Sequence, residues 1–227
     1  MRVTIQDKIA EKYPQYKMGL IRIKISSKDY DKLKLTLADA DKKIIADKAK
    51  ITKEWLDIFK DMNASERRLP SVVALWSVID KVGELSPINY FVDAYNFISV
   101  KHGIPMGGYD ISKLPDDDLN LRYAINGGLR FTPLGLNGQT EKIKDAAEIC
   151  YYSGDTPVCR YWNNKDSDIT KIYDNTNEVL IMFYHLGTDE ELKNAMNEFI
   201  NLINETSDVI ELKQEVLNKD KTICDIL

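Results

Sequence analysis

The sequence contains few of the residues on which many active sites depend. It has two histidines and three cysteines among 227 residues. His102 follows a helical pattern and His185 ends an apolar run, so catalysis by a histidine-activated nucleophile is not favoured. Cys150, Cys159 and Cys224 cannot all pair within the chain and lack the close Cys/His spacing of zinc sites. We therefore expect reduced thiols, no metal and no other cofactor.

Several longer sequence signals are also missing. No run of about eighteen apolar residues occurs, and the first residues, MRVTIQDKIAEKYPQYK, carry charges where a signal peptide would be apolar. There is no GxxxxGK(S/T) phosphate loop, and no GxGxxG motif follows a strand. These absences disfavour nucleotide hydrolysis and dinucleotide redox chemistry, and they predict a cytoplasmic protein that does not enter a membrane.

Acidic residues outnumber basic ones. The chain carries 36 Asp and Glu against 31 Lys and Arg, which gives a net charge of -5. A molecule with this charge repels a phosphate backbone, so binding of a nucleic acid would need a local basic patch. We expect no DNA binding. Candidates for such a patch, with scattered solvated charges as the alternative, are Lys101, Arg122, Arg160, Lys165 and Lys171.

The first part of the chain has the pattern of one strand followed by helices. Residues 18–25 alternate as a strand does, and the serines at 26–27 are expected to cap a helical stretch over residues 28–62. Apolar residues spaced by three and four predict the buried faces of this stretch and of the next helix. These residues are Trp55, Ile58, Phe59 and Met62, then Leu75, Trp76, Ile79 and Val82.

The stretch VDAYNFISVKHGIPMGGYD, residues 92–110, combines a helical pattern with glycines, a proline and an aspartate. Ser86, followed by Pro87, is expected to begin its helix. Gly103 is expected to end that helix. The segment after Gly103 is then free to turn, and adjacent glycines at 107–108 permit positive backbone dihedrals and close approach of a ligand.

Three polar residues share one face of this predicted helix. Asn89, Asp93 and Asn96 are separated by four and three residues, which places them together and away from the apolar side. With Gly107 and Gly108 they would form one wall of a ligand pocket. A solvated helix face and a simple tight turn are the alternative interpretations.

After Asp110 the sequence consists of short β-rich runs, including LRYAINGGLRFTPLG, AAEICYYSG, TPVCRYWNN and NEVLIMFYHLG. Thr188 and Glu191 then form a capping box for a helix. Residues 208–227 have the pattern of a final charged helix and a tail. Together these patterns predict an α+β fold with one continuous core, in which a β-rich central sheet has flanking helices at both ends.

A second unusual stretch is VCRYWNNKDSDITK, residues 158–171. Strands seldom carry so many polar and charged residues unless they line a site or form an exposed edge, and both interpretations are open. Within it Cys159 is interpreted as lining a pocket and not as a nucleophile, because no histidine is close in the sequence.

The order of these motifs resembles a known family. The segment INYFVDAYNFISVKHGIPMGGYDISKL, followed by LRYA, FTPLG and VCRYWNN, resembles the editing module of the phenylalanyl-tRNA synthetase beta chain over about residues 69–186. The glycine pair before Tyr-Asp and the Cys-Arg-x-Trp-Asn run look more like stand-alone relatives of that module. The resemblance implies an editing-like tRNA-binding domain at residues 69–187. Residues 1–68 are expected to pack on it as a strand and helical region, and residues 188–227 to form C-terminal helices of the same compact unit.

In the synthetase this module hydrolyses the ester that joins a wrong amino acid to tRNA. The resemblance therefore implies a trans-acting aminoacyl-tRNA deacylase, a hydrolase, whose partner is the aminoacylated 3′ end of tRNA. Non-catalytic binding of tRNA or RNA, or amino-acid sensing, is the alternative. Asn96 matches an asparagine of the editing pocket, and Gly107 stands where the synthetase has a histidine. Residues 163–164 replace a glycine pair, and Asp166 or Asp168 falls near an acidic specificity residue.

An aminoacyl ester is already activated, so its hydrolysis needs a positioned water and donors for the developing oxyanion. The catalytic candidates are Asn96, Gly107, Gly108 and Asn163. Trp162 and Tyr109 could stack on the terminal adenine. The full set of candidates for binding substrate or tRNA is Asp93, Tyr109, Asp110, Arg122, Cys159, Arg160, Trp162, Asn164 and Asp166.

Overall fold

A computed structural model describes residues 1–37, 43–125, 129–136 and 138–226. Within these ranges the helices are α1 (Asp7–Lys12), α2 (Tyr30–Leu37), α3 (Lys48–Asp61), α4 (Ser71–Val82), α5 (Tyr90–His102) and α6 (Asp189–Thr206). The strands are β1 (Arg2–Ile5), β2 (Lys17–Lys28), β3 (Met106–Asp110), β4 (Asp118–Tyr123), β5 (Arg130–Phe131), β6 (Glu141–Lys142), β7 (Ile149–Ser153), β8 (Thr156–Arg160), β9 (Lys165–Asp166), β10 (Glu178–His185), β11 (Ser207–Leu217) and β12 (Ile223–Asp225). No described helix is long and apolar enough to cross a membrane.

The strands form two large sheets and a small hairpin. One sheet has six strands in the order β12-β1-β4-β7-β8-β9, and the other has four in the order β11-β2-β10-β3. Strands β1 and β4 are parallel, whereas β2, β3, β10 and β11 pair antiparallel. The α+β class predicted from the sequence is confirmed, although the strand-rich part forms two sheets where one central sheet was expected.

Alternation along β2 shows how the layers are arranged. Met18 and Leu20 face a buried cluster shared with the six-stranded sheet, whereas Ile21 and Ile23 face a second cluster built with α5 and α6. The four-stranded sheet is thus covered on one face by the other sheet and on the opposite face by helices. Strand β3 lies at the edge of this sheet, where the covering elements converge.

The helical stretch predicted over residues 28–62 is interrupted. Strand β2 continues through both serines to Lys28, so they do not cap a helix, and α2 and α3 are separate. Residues 38–42 of the predicted stretch lie outside the described residues. The predicted apolar face of α3 is confirmed, because Trp55, Ile58, Phe59 and Met62 are all buried. On α4, Trp76 and Ile79 are buried, but Val82 is 70% exposed.

The predicted start of α5 is wrong by three residues. The N-cap is Asn89, whose Oδ1 accepts a hydrogen bond from the Val92 amide at 3.1 Å, so Ser86 and Pro87 lie before the helix. Gly103 ends the helix in the left-handed conformation, with φ of 70°. The capping box of α6 at Thr188 and Glu191 is also confirmed.

The predicted C-terminal helix is wrong, because residues 207–217 form β11 along β2. Val209, Leu212 and Val216 pack against the core at spacings of three and four, which is the pattern of a helix. Irregularities in the pairing between Asp208 and Val209 and between Val209 and Glu211 break the strict alternation of this strand. A bulged edge strand therefore has a helix-like hydrophobic period.

Candidate functional site

Helix α5 contributes one polar side chain to a cavity. The Asn89 side chain caps the N-terminus of α5, and its Nδ2 donates to the Ile172 carbonyl at 3.1 Å. Asp93 accepts hydrogen bonds from the Ile88 amide and from the Tyr30 hydroxyl. Asn96 is partly buried and lines the cavity, and its side chain makes no hydrogen bond to another described residue. Of the three polar residues on this face, Asn96 is thus the one available to a ligand.

The two glycines of β3 have different surroundings. Along an antiparallel ladder, residue pairs that are hydrogen-bonded to each other alternate with pairs that are not. Tyr184 and Pro105 form a hydrogen-bonded pair, because the Tyr184 amide donates to the Pro105 carbonyl at 2.9 Å. Gly107 and Met182 form the next such pair, so the Gly108 amide points away from β10 towards the open edge of the sheet. A Cβ on Gly108 would lie 3.3 Å from the ring of Tyr95, and one on Gly107 would lie 3.0 Å from the Tyr184 hydroxyl. Only Gly108 therefore presents an amide to the cavity.

The turn between β8 and β9 is strained and packed inwards. Tyr161 and Trp162 both have positive φ, at 49° and 63°, which is uncommon for bulky residues. The Trp162 ring is fully buried and meets Tyr13, Tyr16 and Trp55 edge to face, with ring centroids 5.2, 4.7 and 5.7 Å apart. The turn thus places Asp166, four residues after Trp162, at the edge of the six-stranded sheet.

These elements enclose a cavity of about 450 Å³, which we call the candidate cavity. This volume lies within the usual range for sites that bind small molecules. The loop at residues 132–136 forms one side, held where the Leu134 amide donates to the Asp166 carbonyl at 2.9 Å. Polar and backbone groups that line the cavity include those of Asn89, Tyr95, Asn96, Gly108, Asp166, Ser167, Asp168, Thr170 and Lys171.

Asp166 carries the main electrostatic feature of the candidate cavity. Burial raises the pKa of Asp166 to about 6, and a hydrogen bond from the Cys159 thiol opposes part of that rise. Lys171 Nζ lies 2.8 Å from Asp168 Oδ1, so this cation is already paired. Two tyrosine hydroxyls behind Gly107, those of Tyr109 and Tyr184, are buried and have no hydrogen-bond partner among the described groups.

The structure does not bring all the predicted site residues to this cavity. Tyr109 and Trp162 are buried, and stacking on an adenine would require an accessible ring face. Cys159 is also buried, and burial raises its pKa well above the ordinary value, which leaves the thiol protonated. Asn163 Oδ1 accepts from the Ser71 amide at 3.2 Å, which anchors the start of α4.

Other predicted residues are engaged in local structure. Asp110 accepts from the Ser112 amide at 3.0 Å and from the Thr176 hydroxyl at 2.7 Å. Asn164 donates to the Leu69 carbonyl at 2.7 Å. Arg122 lies over the ring of Tyr152, with 4.3 Å from its guanidinium carbon to the ring centroid. These contacts account for Asp110 and Asn164 without a ligand.

The five cations predicted to form a basic patch do not gather at the candidate cavity, and Lys171 alone among them lines it. Arg160 forms a buried, two-pronged ion pair with Glu148 at 2.6 and 2.7 Å. Lys101 pairs with Glu198 at 2.5 Å. The remaining pairs are Lys165 with Glu141, Lys171 with Asp168 and Arg122 with Asp155. The five cations therefore do not form one patch at the candidate cavity, and a carboxylate of the chain engages each of them.

Both histidines lie elsewhere. They line a separate cavity of about 370 Å³ between α3, the end of α5 and the start of α6. His102 Nε2 contacts Glu198 at 2.7 Å, and His185 Nε2 lies 3.4 Å from Glu191. Among the described residues, no three His, Cys, Asp or Glu side chains converge as metal ligands.

The fold and the candidate cavity define an α+β protein with a polar pocket where an edge strand, a helix and a short strand meet. Comparison with known proteins gives the family. The chain belongs to the B3/4 domain family, whose model matches residues 58–208, about two thirds of the chain.

A curated relative is the phenylalanine–tRNA ligase beta subunit of Lactiplantibacillus plantarum. It is 26% identical over 116 residues, which is 51% of this chain and 13% of the ligase subunit. The chain is also similar to an N-terminal fragment of the phenylalanyl-tRNA synthetase beta-subunit from Pyrococcus horikoshii. That match has a TM-score of 0.49 at 13% identity and covers 96% of this chain and 52% of the fragment.

Some residues at the cavity had no role in the sequence analysis. Tyr95 lines the cavity although its spacing predicts the apolar side of α5, and Leu134 and Gly135 come from a loop noted only for its resemblance. Tyr184 lies within an apolar strand, so no local signal distinguishes its hydroxyl. The motif FTPLG was the available signal for the loop, because a proline and a glycine in a β-rich region mark a turn.

Proposed function

We propose that this protein hydrolyses the ester bond of mischarged aminoacyl-tRNA, acting on tRNA released by a separate synthetase. The observation that carries the proposal is the meeting of Asn96 from α5, Gly108 from β3 and Asp166 from β9 around one cavity. Membership of the B3/4 domain family and the similarity to a phenylalanine–tRNA ligase beta subunit support tRNA as the partner.

The cavity offers the groups that such a reaction needs. The Asn96 amide would orient a water molecule, whose oxygen attacks the ester carbonyl carbon. The Gly108 amide would donate to the oxyanion that develops on the carbonyl oxygen. The ester C–O bond then breaks and the terminal ribose hydroxyl leaves with a proton. The products are the free amino acid and uncharged tRNA.

The proposal does not need a covalent intermediate. The Cys159 thiol is buried and its raised pKa keeps it protonated, so it is a poor nucleophile. Neither histidine lines the candidate cavity. The substrate's own neighbouring hydroxyl would assist activation of the water, with the protein contributing position and hydrogen bonds.

Single-turnover hydrolysis of a panel of mischarged tRNAs tests the proposal. At least one ester should be lost faster than in buffer, and Asn96→Ala should slow that loss about a hundredfold, as removal of an oriented polar contact in a catalytic pocket does. Its melting temperature should stay close to that of the wild type, because Asn96 is not part of the apolar face of α5.

The matched control is Asn201→Ala, which removes an exposed asparagine from helix α6, away from the cavity. This variant should retain the wild-type rate. Absence of ester loss with every tRNA in the panel would contradict the proposal. Loss of activity in Asn96→Ala only in proportion to lost folded protein would remove its catalytic role.

A second candidate function is binding of tRNA or of a free amino acid without turnover. The ion pairs of the candidate cations favour the amino acid over tRNA as the ligand of this second function, because no free basic patch accompanies the cavity among these five residues. Binding of uncharged tRNA, or stabilisation by one of the twenty amino acids in a thermal-shift assay, combined with no ester hydrolysis, would support this function.

A further inference from the structure

Asp166 is a carboxylate without a cation. It forms no ion pair with any lysine, arginine or histidine that the structure describes. Its sequence neighbour Lys165 is directed to Glu141 at 2.5 Å, and Lys171 in the same cavity is held by Asp168. A carboxylate that is partly withdrawn from water and unpaired is unfavourable, unless a positive group arrives with the ligand.

The carboxylate is also reachable from the cavity. Asp166 is partly exposed and lines the candidate cavity, and its Oδ2 would lie 3.8 Å from a Cβ built on Gly107. The Tyr184 hydroxyl would lie 3.0 Å from the same point. Gly107 thus allows the buried Tyr184 hydroxyl to lie close to the backbone of β3, and a side chain at this position would crowd that hydroxyl.

The neighbouring side chains supply hydrogen-bonding groups and no unpaired positive charge, because Lys171 is held by Asp168. Against the effect of burial, the Cys159 thiol lowers the pKa of Asp166 by hydrogen bonding, and the Asp166 charge adds to burial in raising the pKa values of Tyr109 and Tyr184. An ammonium group donates charge-assisted hydrogen bonds to a carboxylate such as that of Asp166, which lines the candidate cavity. The surroundings therefore match a primary ammonium better than a neutral or anionic group.

We propose that Asp166 binds the free α-ammonium group of the aminoacyl moiety, so that the site accepts aminoacyl esters and rejects N-acylated or peptidyl esters. This inference rests on the proposed function for the identity of the ester. An N-acyl group removes the positive charge, so it leaves Asp166 without a counter-charge. The site would thereby spare peptidyl-tRNA.

Binding of non-hydrolysable analogues tests the inference. The probes are 3′-deoxy-3′-(L-alanylamino)adenosine and its N-acetyl derivative, in which an amide replaces the ester. By titration calorimetry at pH 7, wild-type protein should bind the free-amino probe about ten- to a hundredfold more tightly, the usual contribution of a hydrogen bond to a charged group. Asp166→Asn should reduce this ratio to about one.

Two variants act as controls. Asp168→Asn removes the other carboxylate of the cavity, which is already paired with Lys171, and should keep most of the discrimination. Asp155→Asn removes an exposed carboxylate on a distant turn and should behave as wild type. Circular dichroism of each variant checks that it is folded.

The pH dependence gives an independent readout. Affinity for the free-amino probe should rise between pH 5 and 7, as Asp166 ionises with a pKa of about 6. Burial raises the pKa of Cys159, Tyr95, Tyr109 and Tyr184, so these neighbours stay neutral over that interval. Lys171 Nζ lies 2.8 Å from Asp168 Oδ1 and forms no ion pair with Asp166 in the described part of the chain. The N-acetyl probe should show no such rise.

Equal binding of both probes to the wild type, or failure of the free-amino probe to bind at millimolar concentration, would overturn the inference. So would loss of discrimination in Asp168→Asn with retention in Asp166→Asn. Because the probes cannot be hydrolysed, the outcome is separate from the deacylation assay. Discrimination without ester hydrolysis would leave the ammonium site intact and refute only the proposed activity.

Discussion

Replacing Asp166 by asparagine should stabilise the free protein at neutral pH. Burial raises the pKa of this carboxyl from 3.8 to about 6, so the folded state holds the proton more tightly than the unfolded state does. Well below pH 3.8 the group is protonated in both states and has no effect. Between pH 4 and 6 the unfolded state gains stability by ionising first, and above pH 6 the full penalty on the folded state is present.

The size of the penalty follows from that difference in pKa. Each pKa unit corresponds to about 1.4 kcal/mol, so the full difference is about 3 kcal/mol. Asp166 is partly exposed at the cavity, and solvent screening reduces this figure to about 1–3 kcal/mol. For a chain of this length each kcal/mol corresponds to about 2–4 °C in melting temperature.

Urea unfolding at pH 4 and at pH 7.5 provides the assay. Wild type and Asp166→Asn should have similar free energies of unfolding at pH 4, and the variant should be more stable at pH 7.5. Asp168→Asn loses an ion pair and should be unchanged or slightly less stable at pH 7.5. An Asp166→Asn variant less stable than wild type at pH 7.5 would refute the reasoning, because the carboxylate would then have an internal partner.

Two further predictions concern side chains that hold the site in place. Trp162→Ala should lower the free energy of unfolding by about 3–5 kcal/mol in urea denaturation, because it removes a fully buried ring from an aromatic cluster. A loss below about 1 kcal/mol would contradict this packing role. Glu148→Ala should cost about 3–5 kcal/mol, since it leaves Arg160 with Glu141 alone. Asp155→Ala, which removes the exposed partner of Arg122, should cost less than about 1 kcal/mol, and similar losses in both variants would refute the distinction between buried and exposed pairs.

The sequence predicts local structure well where one strong signal dominates. The buried face of α3, the end of α5 at Gly103 and the capping box of α6 each depend on residues within a turn or two, and all three are confirmed. The prediction for β11 is wrong because its bulges give a strand the hydrophobic spacing of a helix. Pairing with β2, almost two hundred residues away in sequence, determines its structure.

The candidate site was likewise predictable from the sequence only in part. Asn96, Gly108 and Asp166 were selected from the sequence, and the structure places them around one cavity. Burial was not predictable for Trp162, because a polar run at 158–171 suggests an accessible strand, whereas its ring packs against residues from the first part of the chain. Ion pairs such as that of Arg160 with Glu148 also depend on tertiary contacts that local sequence does not specify.

The left-handed pair at Tyr161 and Trp162 has a consequence for the order of folding. Two adjacent bulky residues with positive φ are unfavourable in an isolated hairpin, so β8 and β9 gain little from pairing early. The compensating contacts come from Tyr13, Tyr16 and Trp55, more than a hundred residues earlier, and closing such a long loop is slow. We therefore expect Asp166 to reach the cavity only after the first sixty residues have docked, and binding competence to appear as one of the last events of folding.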